Sequence, residues 1–455
     1  MAKPKIISLY TGAGGLDYGL EAAGFDTTIA VEWDHDSCET LRSNRRWPVI
    51  ERDIMKVPTR EILEVGGLRK GEADLLIGGP PCQPFSKAGY WARGDALRLD
   101  DPRANTLSAY LRVVEDALPR AFILENVEGL AYEGKDEGLR LLLDAINGIN
   151  RRTKSRYRVA VQVLNAADYG VPQMRHRVLM VGSREGADFR FPTPTHIENP
   201  LPGSGLARWR TTWDALADVR PEPGEDVAAR GKWADLLPSI PEGRNYLFHT
   251  DRGEGLPLFG WRRRFWSFLL KLSKSKPSWT VQAQPGPAIG PFHWENRRLS
   301  ARELCRIQTF PDDVCIKGSR TEVQRQVGNA VPSLVGEVLG REIRVQLLGL
   351  PRIRRPLTLL PPDRAPAPPP ESVRPVPHRY RKLVGNHEPH PGTGQGNAAR
   401  SRAQSEPVQL LLHVSEKRGR YVTQWPSGTR QRSRTAGRHS RRVRPGSDRE
   451  AAPSP

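Results

Sequence analysis

The sequence predicts an α/β fold in which a doubly wound, mostly parallel sheet carries a smaller, irregular domain. Two observations support this prediction. Over the first 183 residues, short apolar runs alternate with stretches of helical spacing, as in a parallel sheet whose strands are connected by helices. From about residue 184 this alternation stops, and helical spacing returns only near residue 300.

Each apolar run of the first part is short enough for a buried strand and is bounded by turn residues or helical stretches. The predicted strands are Lys5–Tyr10, Thr28–Glu32, Val49–Glu51, Ala73–Gly78 and Arg120–Glu125. The predicted helices are Leu16–Ala23, Ser37–Arg45, Thr106–Ala117 and Gly138–Ile149. Two further runs, Arg158–Leu164 and Arg177–Gly182, are separated by only about a dozen residues, which favours an antiparallel pair that closes the sheet.

Changes in composition divide the chain into four parts. Residues 1–183 form the predicted sheet domain, and residues 184–280, rich in Pro, Gly, Trp and Arg, form the smaller domain. Residues 281–350 return to the sheet domain, and helical spacing recurs there at Ser300–Gln308, Arg320–Val335 and Leu334–Leu348. Residues 351–455 are rich in Pro and Arg and predict a disordered tail, because so few apolar residues cannot offset the entropy of ordering.

Positive charge is concentrated in this tail. The chain has 70 Lys and Arg against 51 Asp and Glu, and residues 351–455 hold 21 of the former and 7 of the latter. The remaining body is only mildly basic. Its charge favours a polyanionic partner, although such a balance is also ordinary for a body of this size.

Several classes of protein are excluded by the same sequence. No apolar run approaches the ~18–20 residues of a membrane helix, and the N-terminus lacks the apolar region and cleavage site of a secretory signal. The four cysteines (Cys38, Cys82, Cys305 and Cys315) contain no CxxC pair, so neither a disulfide framework nor a thiolate zinc site is indicated. We therefore expect a soluble intracellular protein without a membrane or a metal ion.

An adenosine pocket is predicted at the carboxyl ends of the first strands. The glycine turn with Gly12, Gly14 and Gly15 lets a ligand approach the backbone, although such turns often only tighten a strand–helix connection. Glu32, twenty residues after Gly12, can accept from both ribose hydroxyls. Trp33 can stack on an adenine ring. Asp53 can accept from the adenine amine. Each has an ordinary alternative, as a solvated acid, a core tryptophan or a helix cap.

A candidate nucleophile follows the fourth strand. The segment GGPPCQPFS places Cys82 in a loop stiffened by prolines, whereas a structural cysteine is more often found inside an apolar run. The next strand ends at Glu125. A nucleophile and an acid at neighbouring strand ends form a plausible active site.

These segments together resemble the DNA (cytosine-5)-methyltransferases of bacterial restriction–modification systems. The resemblance covers about residues 5–345 and follows the family's motif order. The matching segments are SLYTGAGG, VEWD, RDI, GGPPCQPFS, DPRANTL, ENV, QMRHR, RRLSARELCRIQTFP and QVGNAVP. The nine-residue cysteine segment is specific by itself, and the ordered set is more so.

The resemblance implies methyl transfer from S-adenosylmethionine to carbon 5 of a cytosine in double-stranded DNA. The Cys82 thiolate would add to carbon 6, and Glu125 would hydrogen-bond or protonate ring nitrogen 3. Arg177 would contact the base oxygen, and Arg175 would steady the active-site side chains. Because a stacked base cannot be reached, the cytosine would be flipped out of the duplex and covered by the loop Lys87–Asp100.

The cofactor contacts implied by the resemblance extend the adenosine pocket. They are Tyr10, Gly12, Gly14, Gly15, Leu16, Glu32, Trp33, Asp53, Ile54, Pro80 and Asn329. Tyr10 stands where the family usually has phenylalanine, and Ser8 where it usually has an acid. The added hydroxyl group of Tyr10 bears on cofactor affinity rather than on activity.

Sequence recognition is expected in residues 184–280, where the family places its variable target-recognition domain. Within it, Trp261–Lys276 mixes six basic residues with aromatic ones and suits phosphate contacts. The predicted DNA contacts are Ser86, Gln173, Arg262, Arg263, Arg264, Lys271 and Lys274. The alternative for this segment is an amphipathic helix that packs Trp266, Leu269 and Leu270 inward.

Four other functions fit the sequence less well. A transfer-RNA cytosine methyltransferase would carry a Cys-Phe-Thr tripeptide, which is absent. A catalytically dead DNA-binding protein is disfavoured by intact Cys82, Glu125, Arg175 and Arg177. A nicotinamide-dependent enzyme leaves the Pro-Pro-Cys loop unexplained. An amino-group DNA methyltransferase would have an aromatic residue after the two prolines.

The resemblance also carries expectations about biology. We expect a monomer in the bacterial cytoplasm, associated with the nucleoid through DNA. Its methylation would protect self DNA against a cognate endonuclease, which would be a functional and not a physical partner. The family generally lacks the basic tail, which is then either a nonspecific DNA-holding arm or an extension without a role.

Overall fold

The computed structural model describes residues 2–81, 104–128, 137–260 and 266–385. Within these ranges the main sheet has seven strands in the order β3-β2-β1-β4-β5-β7-β6. They are β1 Lys5–Leu9, β2 Asp26–Glu32, β3 Val49–Glu51, β4 Leu75–Gly78, β5 Ala121–Val127, β6 Arg158–Asn165 and β7 His176–Ser183. Strand β7 is antiparallel to both of its neighbours, and the other pairs are parallel. The predicted α/β class is confirmed, and an antiparallel pair closes the sheet.

The direction of winding reverses between β1 and β4. From β1 the chain builds outward through β2 and β3, and it then returns to β4 and continues to β5 on the other side. In parallel sheets, ligands bind outside the carboxyl ends of the strands at this switch point. The ends of β1, β2, β4 and β5 therefore bring the glycine turn, Glu32, the segment leading to Cys82, and Glu125 to one edge.

Helices cover both faces of the sheet. Those described are α1 Gly15–Ala22, α2 His35–Asn44, α3 Thr59–Val65, α4 Ala104–Ala117, α5 Glu137–Thr153, α6 Thr212–Leu216, α7 Ala301–Ile307, α8 Arg320–Asn329, α9 Ser333–Gln346 and α10 His378–Arg381. Helices α3, α4 and α5 bury apolar side chains on one face, and α1 and α9 do so on the other. A Cβ atom at Gly19 would lie 2.0 Å from the Ser333 carbonyl oxygen, so α1 and α9 pack backbone to backbone.

A second apolar core is built without long helices or strands. Its buried members are Trp233, Leu236, Leu237, Ile240, Tyr246, Leu258, Phe259, Phe268, Leu269, Phe292 and Tyr380. Phe292 and Tyr380 lie beyond residue 280, so this core draws on more of the chain than the smaller domain expected from composition. The regular elements within it are the 3₁₀ turns Ala234–Ser239 and Tyr246–His249 and the short helix α10. A two-residue ladder between β8 (His196–Ile197) and β9 (Ala207–Arg208) lies elsewhere in the chain, and α6 packs against α7.

The structure corrects the amphipathic helix considered for Trp261–Lys276. Its described part, residues 266–276, forms turns and isolated bridges rather than a helix. Leu269 and Leu270 are buried, but Trp266 is exposed. Packing against Phe292 and Ala288 through backbone hydrogen bonds replaces the intrahelical ladder.

The structure also corrects the disorder predicted from residue 351. Residues 351–385 pack against the rest of the chain: Leu357, Leu359 and Leu360 contact the core beneath α1 and α9, and Tyr380 is buried in the second core. Sparse single anchors, rather than a periodic apolar face, fix this segment. The remaining tail lies outside the described residues.

Neither a membrane-crossing helix nor a metal site emerges from the part of the chain that the structure describes. Its helices are too short or too polar to span a bilayer. Over those same ranges, no three His, Cys, Asp or Glu side chains come together in a group that could hold a metal ion.

Candidate active site

The turn between β1 and α1 is shaped by residues with positive φ. Tyr10 and Gly12 have φ of 53°, and Gly14 has φ of 81°. The Gly14 N–H donates to the Thr11 carbonyl oxygen at 2.9 Å, which closes the turn just before α1 begins at Gly15. No atom lies within 4 Å of where a Cβ of Gly12 would be, so the backbone is open on that side. A ligand can approach the turn there.

Glu32 is held at the end of β2 by backbone donors. Its Oε2 accepts from the Gly12 N–H at 2.8 Å, and its Oε1 accepts from the N–H groups of Trp33 and Asp34 at 2.9 and 3.0 Å. Burial raises the pKa of Glu32, while these three hydrogen bonds act to lower it. The carboxylate is thereby tied to the glycine turn and fixed in orientation at the switch point.

The side chains beside Glu32 differ in exposure. Trp33 is 73% exposed, so its ring is available for stacking. Asp53 caps the 3₁₀ turn Ile54–Lys56 by accepting from the Met55 N–H through Oδ1 at 3.0 Å, and Ile54 is buried beneath it. The capping role expected as the ordinary alternative for Asp53 is thus present, and it occupies one carboxylate oxygen.

Tyr10 links this pocket to α4. Its hydroxyl donates to the Thr106 carbonyl oxygen at 2.6 Å, and burial raises the pKa of Tyr10. Leu16, in the first turn of α1, is buried in the core on the opposite face. The extra hydroxyl at position 10 therefore has a protein partner.

Glu125 and Arg177 form an ion pair at the edge of the sheet. Arg177 Nε lies 2.8 Å from Glu125 Oε1, and the two side chains are 19% and 11% exposed. On the other side of the carboxylate, a Cβ at Gly79 would lie 2.9 Å from Oε2, so the chain after β4 passes close to Glu125. Burial beside a fixed cation keeps the carboxylate oriented for contact with a ligand.

The chain that leads from β4 toward Cys82 is held at the same edge. Asn126 donates through Nδ2 to the Pro80 carbonyl oxygen at 3.2 Å, and Thr106 donates to that of Pro81 at the same distance. Cys82 itself lies outside the described residues. The predicted contacts Ser86, Arg262, Arg263 and Arg264 and the loop Lys87–Asp100 also lie outside them.

Arg175 is fully buried and joins three parts of the chain. Its Nη2 donates to the Gly328 carbonyl oxygen at 2.8 Å, and its Nη1 donates to that of Val281 at 3.4 Å. Burial, reinforced by Arg177, lowers the pKa of Arg175. Asn329, next to Gly328 at the end of α8, is exposed. Arg175 thus braces the strand that carries Arg177 against the segments at 281 and 328.

Three predicted DNA contacts are wrong because their polar groups are buried in protein contacts. Gln173 is fully buried: its Nε2 donates to Gln308 Oε1, and its Oε1 accepts from the Val281 N–H, both at 3.0 Å. Lys271 donates to Asn296 Oδ1 at 2.6 Å, and burial lowers its pKa to about 8. Lys274 is buried in an ion pair with Glu242.

An exposed aromatic pair is a feature that the sequence reasoning missed. Trp266 and Trp279 are 53% and 40% exposed, and their rings meet edge to face with centroids 5.6 Å apart. Thr280, next to Trp279, donates to the Met174 carbonyl oxygen at 2.8 Å. The pair therefore adjoins the segment that precedes β7, the strand of Arg177. The signal available in the sequence was the tryptophan of the segment Ser278–Thr280.

A family model and curated proteins both match most of this chain. Residues 4–345 match the family model described as C-5 cytosine-specific DNA methylase. The chain is 41% identical over 375 residues to the Type II methyltransferase M.SacI of Streptomyces achromogenes, covering 75% of this chain and 93% of that protein. It is 35% identical over 336 residues to M.NgoFVII of Neisseria gonorrhoeae, covering 72% and 83%.

Solved structures share the fold. A putative prophage DNA modification methyltransferase from E. coli aligns with a TM-score of 0.56 at 21% identity, covering 76% of this chain and all of that one. A DNMT2 mutant from Spodoptera frugiperda aligns with a TM-score of 0.51 at 16% identity, covering 74% and 98%. At these identities the likeness concerns the fold alone.

Proposed function

This chain belongs to the C-5 cytosine-specific DNA methylase family, and on that premise we propose a covalent mechanism at the edge of the sheet. The methyl donor is S-adenosylmethionine, and the acceptor is carbon 5 of a cytosine flipped out of a specific double-stranded sequence. Cys82 is the nucleophile, and Glu125, Arg175 and Arg177 serve the reaction around it.

The residues at the switch point fit such a cofactor. When bound, it supplies an electrophilic methyl group. Glu32 is fixed by three backbone N–H groups. It accepts hydrogen bonds from the ribose hydroxyls, as the acid at the end of the second strand does in doubly wound nucleotide-binding folds. Trp33 offers an exposed ring to the adenine, and Asp53 has its Oδ2 to accept from the adenine amine. Gly12 lets the ligand approach the turn, while Gly14, Gly15 and Leu16 form the start of α1 below it.

The reaction is proposed to use covalent catalysis because carbon 5 of cytosine is a poor nucleophile. Addition of the Cys82 thiolate to carbon 6 forms a carbon–sulfur bond and makes carbon 5 nucleophilic. Glu125 hydrogen-bonds or protonates ring nitrogen 3, where negative charge develops. After carbon 5 has taken the methyl group, loss of its proton to a base breaks the carbon–sulfur bond and releases Cys82.

The observation that carries this proposal is the ion pair of Glu125 and Arg177 against Gly79. Arg177 holds one carboxylate oxygen at 2.8 Å, and the other oxygen faces the chain that continues to Cys82. A base entering beside this loop would meet the acid and the cation together. Arg175, two residues before Arg177, ties the start of β7 to Val281 and Gly328.

Recognition of the DNA sequence is proposed to lie in the region around the second core. Arg262, Arg263, Arg264 and Ser86 remain candidate DNA contacts. The exposed pair of Trp266 and Trp279 adds apolar surface at the junction with the strand of Arg177. Since relatives are named Type II methyltransferases, we propose that methylation protects the cell's own DNA, and that the enzyme acts as a monomer on nucleoid DNA in the bacterial cytoplasm.

The test is to sequence bisulfite-treated plasmid DNA from cells that express the chain and to digest the same plasmid with endonucleases. We expect one short sequence in which a cytosine is methylated at every occurrence. Cells that express Cys82→Ala provide the control and should show none. Soluble wild-type protein that modifies no DNA cytosine would refute the proposal, and methylation of transfer RNA by that protein would replace it.

A further inference from the structure

Residues 351–385, which we call the strap, run from the sheet to the second core. The strap has little regular structure beyond the short helix α10. Its side chains and backbone nevertheless make contacts along its whole length. These contacts fall into four groups, on α9, near α6, around Lys274 and on the second core.

The first attachment is a buried carboxylate on α9. Glu337 is fully buried, and its oxygens accept from the backbone N–H groups of Thr358 at 2.8 and 3.0 Å and of Leu359 at 3.0 Å. Arg341, which pairs with Glu337 at 2.7 Å, also donates to the carbonyl oxygens of the strap at residues 355 and 356. A buried carboxylate needs such donors, so removing the strap would leave Glu337 with Arg341 alone.

The middle attachment lies beside α6. The buried Asp214 accepts from the Arg364 N–H at 2.7 Å and forms two bonds with Arg208. Asp363 pairs with Arg208 and, at 2.7 Å, with Arg210. Acidic and basic groups of the strap pair here with basic and acidic groups of the preceding chain. These pairs fix the position of the strap along α6.

The third attachment uses a lysine that the sequence had suggested for DNA. Lys274 Nζ lies 2.6 Å from Glu242, 3.0 Å from Glu371 of the strap and 3.2 Å from the Pro369 carbonyl oxygen. The Glu371 N–H donates to Glu242 at 2.8 Å. The side chains of Lys274 and Glu242 are each only 4% exposed, so solvent screens this pair weakly, whereas the side chain of Glu371 is about half exposed.

The strap ends in the second core. The ring of Tyr380 stacks on Trp233 with centroids 5.4 Å apart and an interplanar angle of 18°. Its hydroxyl donates to Asp235 and, at 2.5 Å, to the Lys232 carbonyl oxygen. Tyr380 is 4% exposed. Tyr380 is therefore an internal member of the second core.

We propose that the strap is a positioning element that holds the DNA-recognition region in register with Glu125 and Arg177. This inference rests on the function proposed above. The strap bonds to α9, which packs on the sheet, and to the second core, so it fixes the distance between them. A displacement of about 1 Å between substrate and catalytic groups is enough to cost about a hundredfold in rate. Loss of its anchors should therefore impair the use of target DNA while leaving the cofactor pocket unchanged.

The test uses point variants of the full chain. Tyr380→Ala removes the last anchor, and Glu371→Gln removes the charge that faces Lys274. Val373→Ala and Val384→Ala are matched controls, because both side chains belong to the strap but are about half exposed. For each variant, KM for target duplex, kcat, the ratio of methylation at target and near-target sites, and the Kd for S-adenosylmethionine are measured. Amide hydrogen exchange reports on the second core.

We expect Tyr380→Ala to raise KM for target DNA about tenfold and to lower the target to near-target ratio, with cofactor Kd changed less than about twofold. Exchange should rise in residues 229–260 and 266–292 but not in the central strands. A purely structural role would lower the active fraction, and hence kcat, without moving KM. Folded variants with unchanged KM, selectivity and exchange would overturn the proposal.

The test also covers a variant that fails to fold and a wild-type chain that is inactive. If Tyr380→Ala does not fold, Glu371→Gln and Tyr380→Phe decide the question by the same measurements, since Tyr380→Phe keeps the stacked ring and loses only the hydroxyl. If the wild-type chain methylates no duplex, the proposed function fails, and hydrogen exchange still tests the strap. Unchanged exchange in the second core of the variants would then refute its positioning role.

Discussion

Replacing Glu125 with glutamine tests the proposed chemistry with the smallest change of shape. The amide oxygen can still accept from Arg177 Nε, which now lies 2.8 Å from the carboxylate. The variant loses the negative charge and the ability to give a proton to ring nitrogen 3. Because Glu125 is 11% exposed and Arg177 is 19% exposed, solvent compensates only weakly for the lost charge.

The expected effect on the rate is large. General acid–base catalysis by a positioned side chain contributes about 10²–10⁴-fold, which corresponds to about 2.7–5.4 kcal/mol of transition-state stabilisation. The expected effect on stability is smaller, about 1–3 kcal/mol, because Arg177 keeps a neutral acceptor in place of a charged one. The variant should therefore lose most of its activity but only a small part of its stability.

The assay is single-turnover transfer of a labelled methyl group to saturating target duplex, with the melting temperature measured on the same preparation. Glu185→Gln is the matched control, since Glu185 pairs with Arg184 on the surface and should leave the rate unchanged. A Glu125→Gln rate within about tenfold of wild type would refute the role assigned to Glu125. A rate loss shared by Glu185→Gln would point to a fault of the preparation.

Three other predictions address the nucleophile, the cofactor pocket and the core. Cys82→Ala should abolish methyl transfer and leave duplex binding intact in a gel-shift assay; residual turnover would exclude the covalent route. Trp33→Ala should weaken S-adenosylmethionine binding by calorimetry about threefold to tenfold, as expected for a lost stacking contact, whereas Trp266→Ala should not; equal affinities would remove Trp33 from the pocket. Burial raises the pKa of Asp17 to about 7, so the folded protein holds a proton that the unfolded chain releases near pH 4, and stability should fall as the pH rises from about 4 to 7. The melting temperature of Asp17→Asn should change less with pH over that range than that of the wild type. Parallel pH profiles of the two proteins would contradict this.

The sheet was predictable because its strands are short and buried on both faces. The run that became β4 is apolar throughout, and parallel strands covered by helices need such runs. The order of the strands was not predicted from the sequence, although right-handed crossovers leave few arrangements for alternating strands and helices. The observed ends of the elements differ from the predicted ends by a few residues. These ends depend on single capping contacts, such as that of Asp34 with the Ser37 N–H.

The site was partly predictable for a related reason. Glu32 ends β2 and Glu125 lies two residues before the end of β5, and β2 and β5 run in the same direction in one sheet, so the positions of both acids at the same edge follow from topology. The burial of Lys274 does not follow from local sequence, because its partners Glu242 and Glu371 lie 32 and 97 residues away. A basic residue in an aromatic segment has the same local appearance whether it faces DNA or an internal carboxylate.

The strap shows why composition misleads where anchors are sparse. Residues 351–385 contain ten prolines, and this composition alone predicts disorder. Proline fixes φ and has no N–H to satisfy, so an extended proline-rich segment loses less entropy on ordering than an average chain does. A few anchors, such as the backbone bonds to Glu337 and the stacked ring of Tyr380, can then offset the remaining entropy. The relevant question for such a segment is therefore whether the body offers buried partners for it, and Glu337, Asp214 and Glu242 are carboxylates that do.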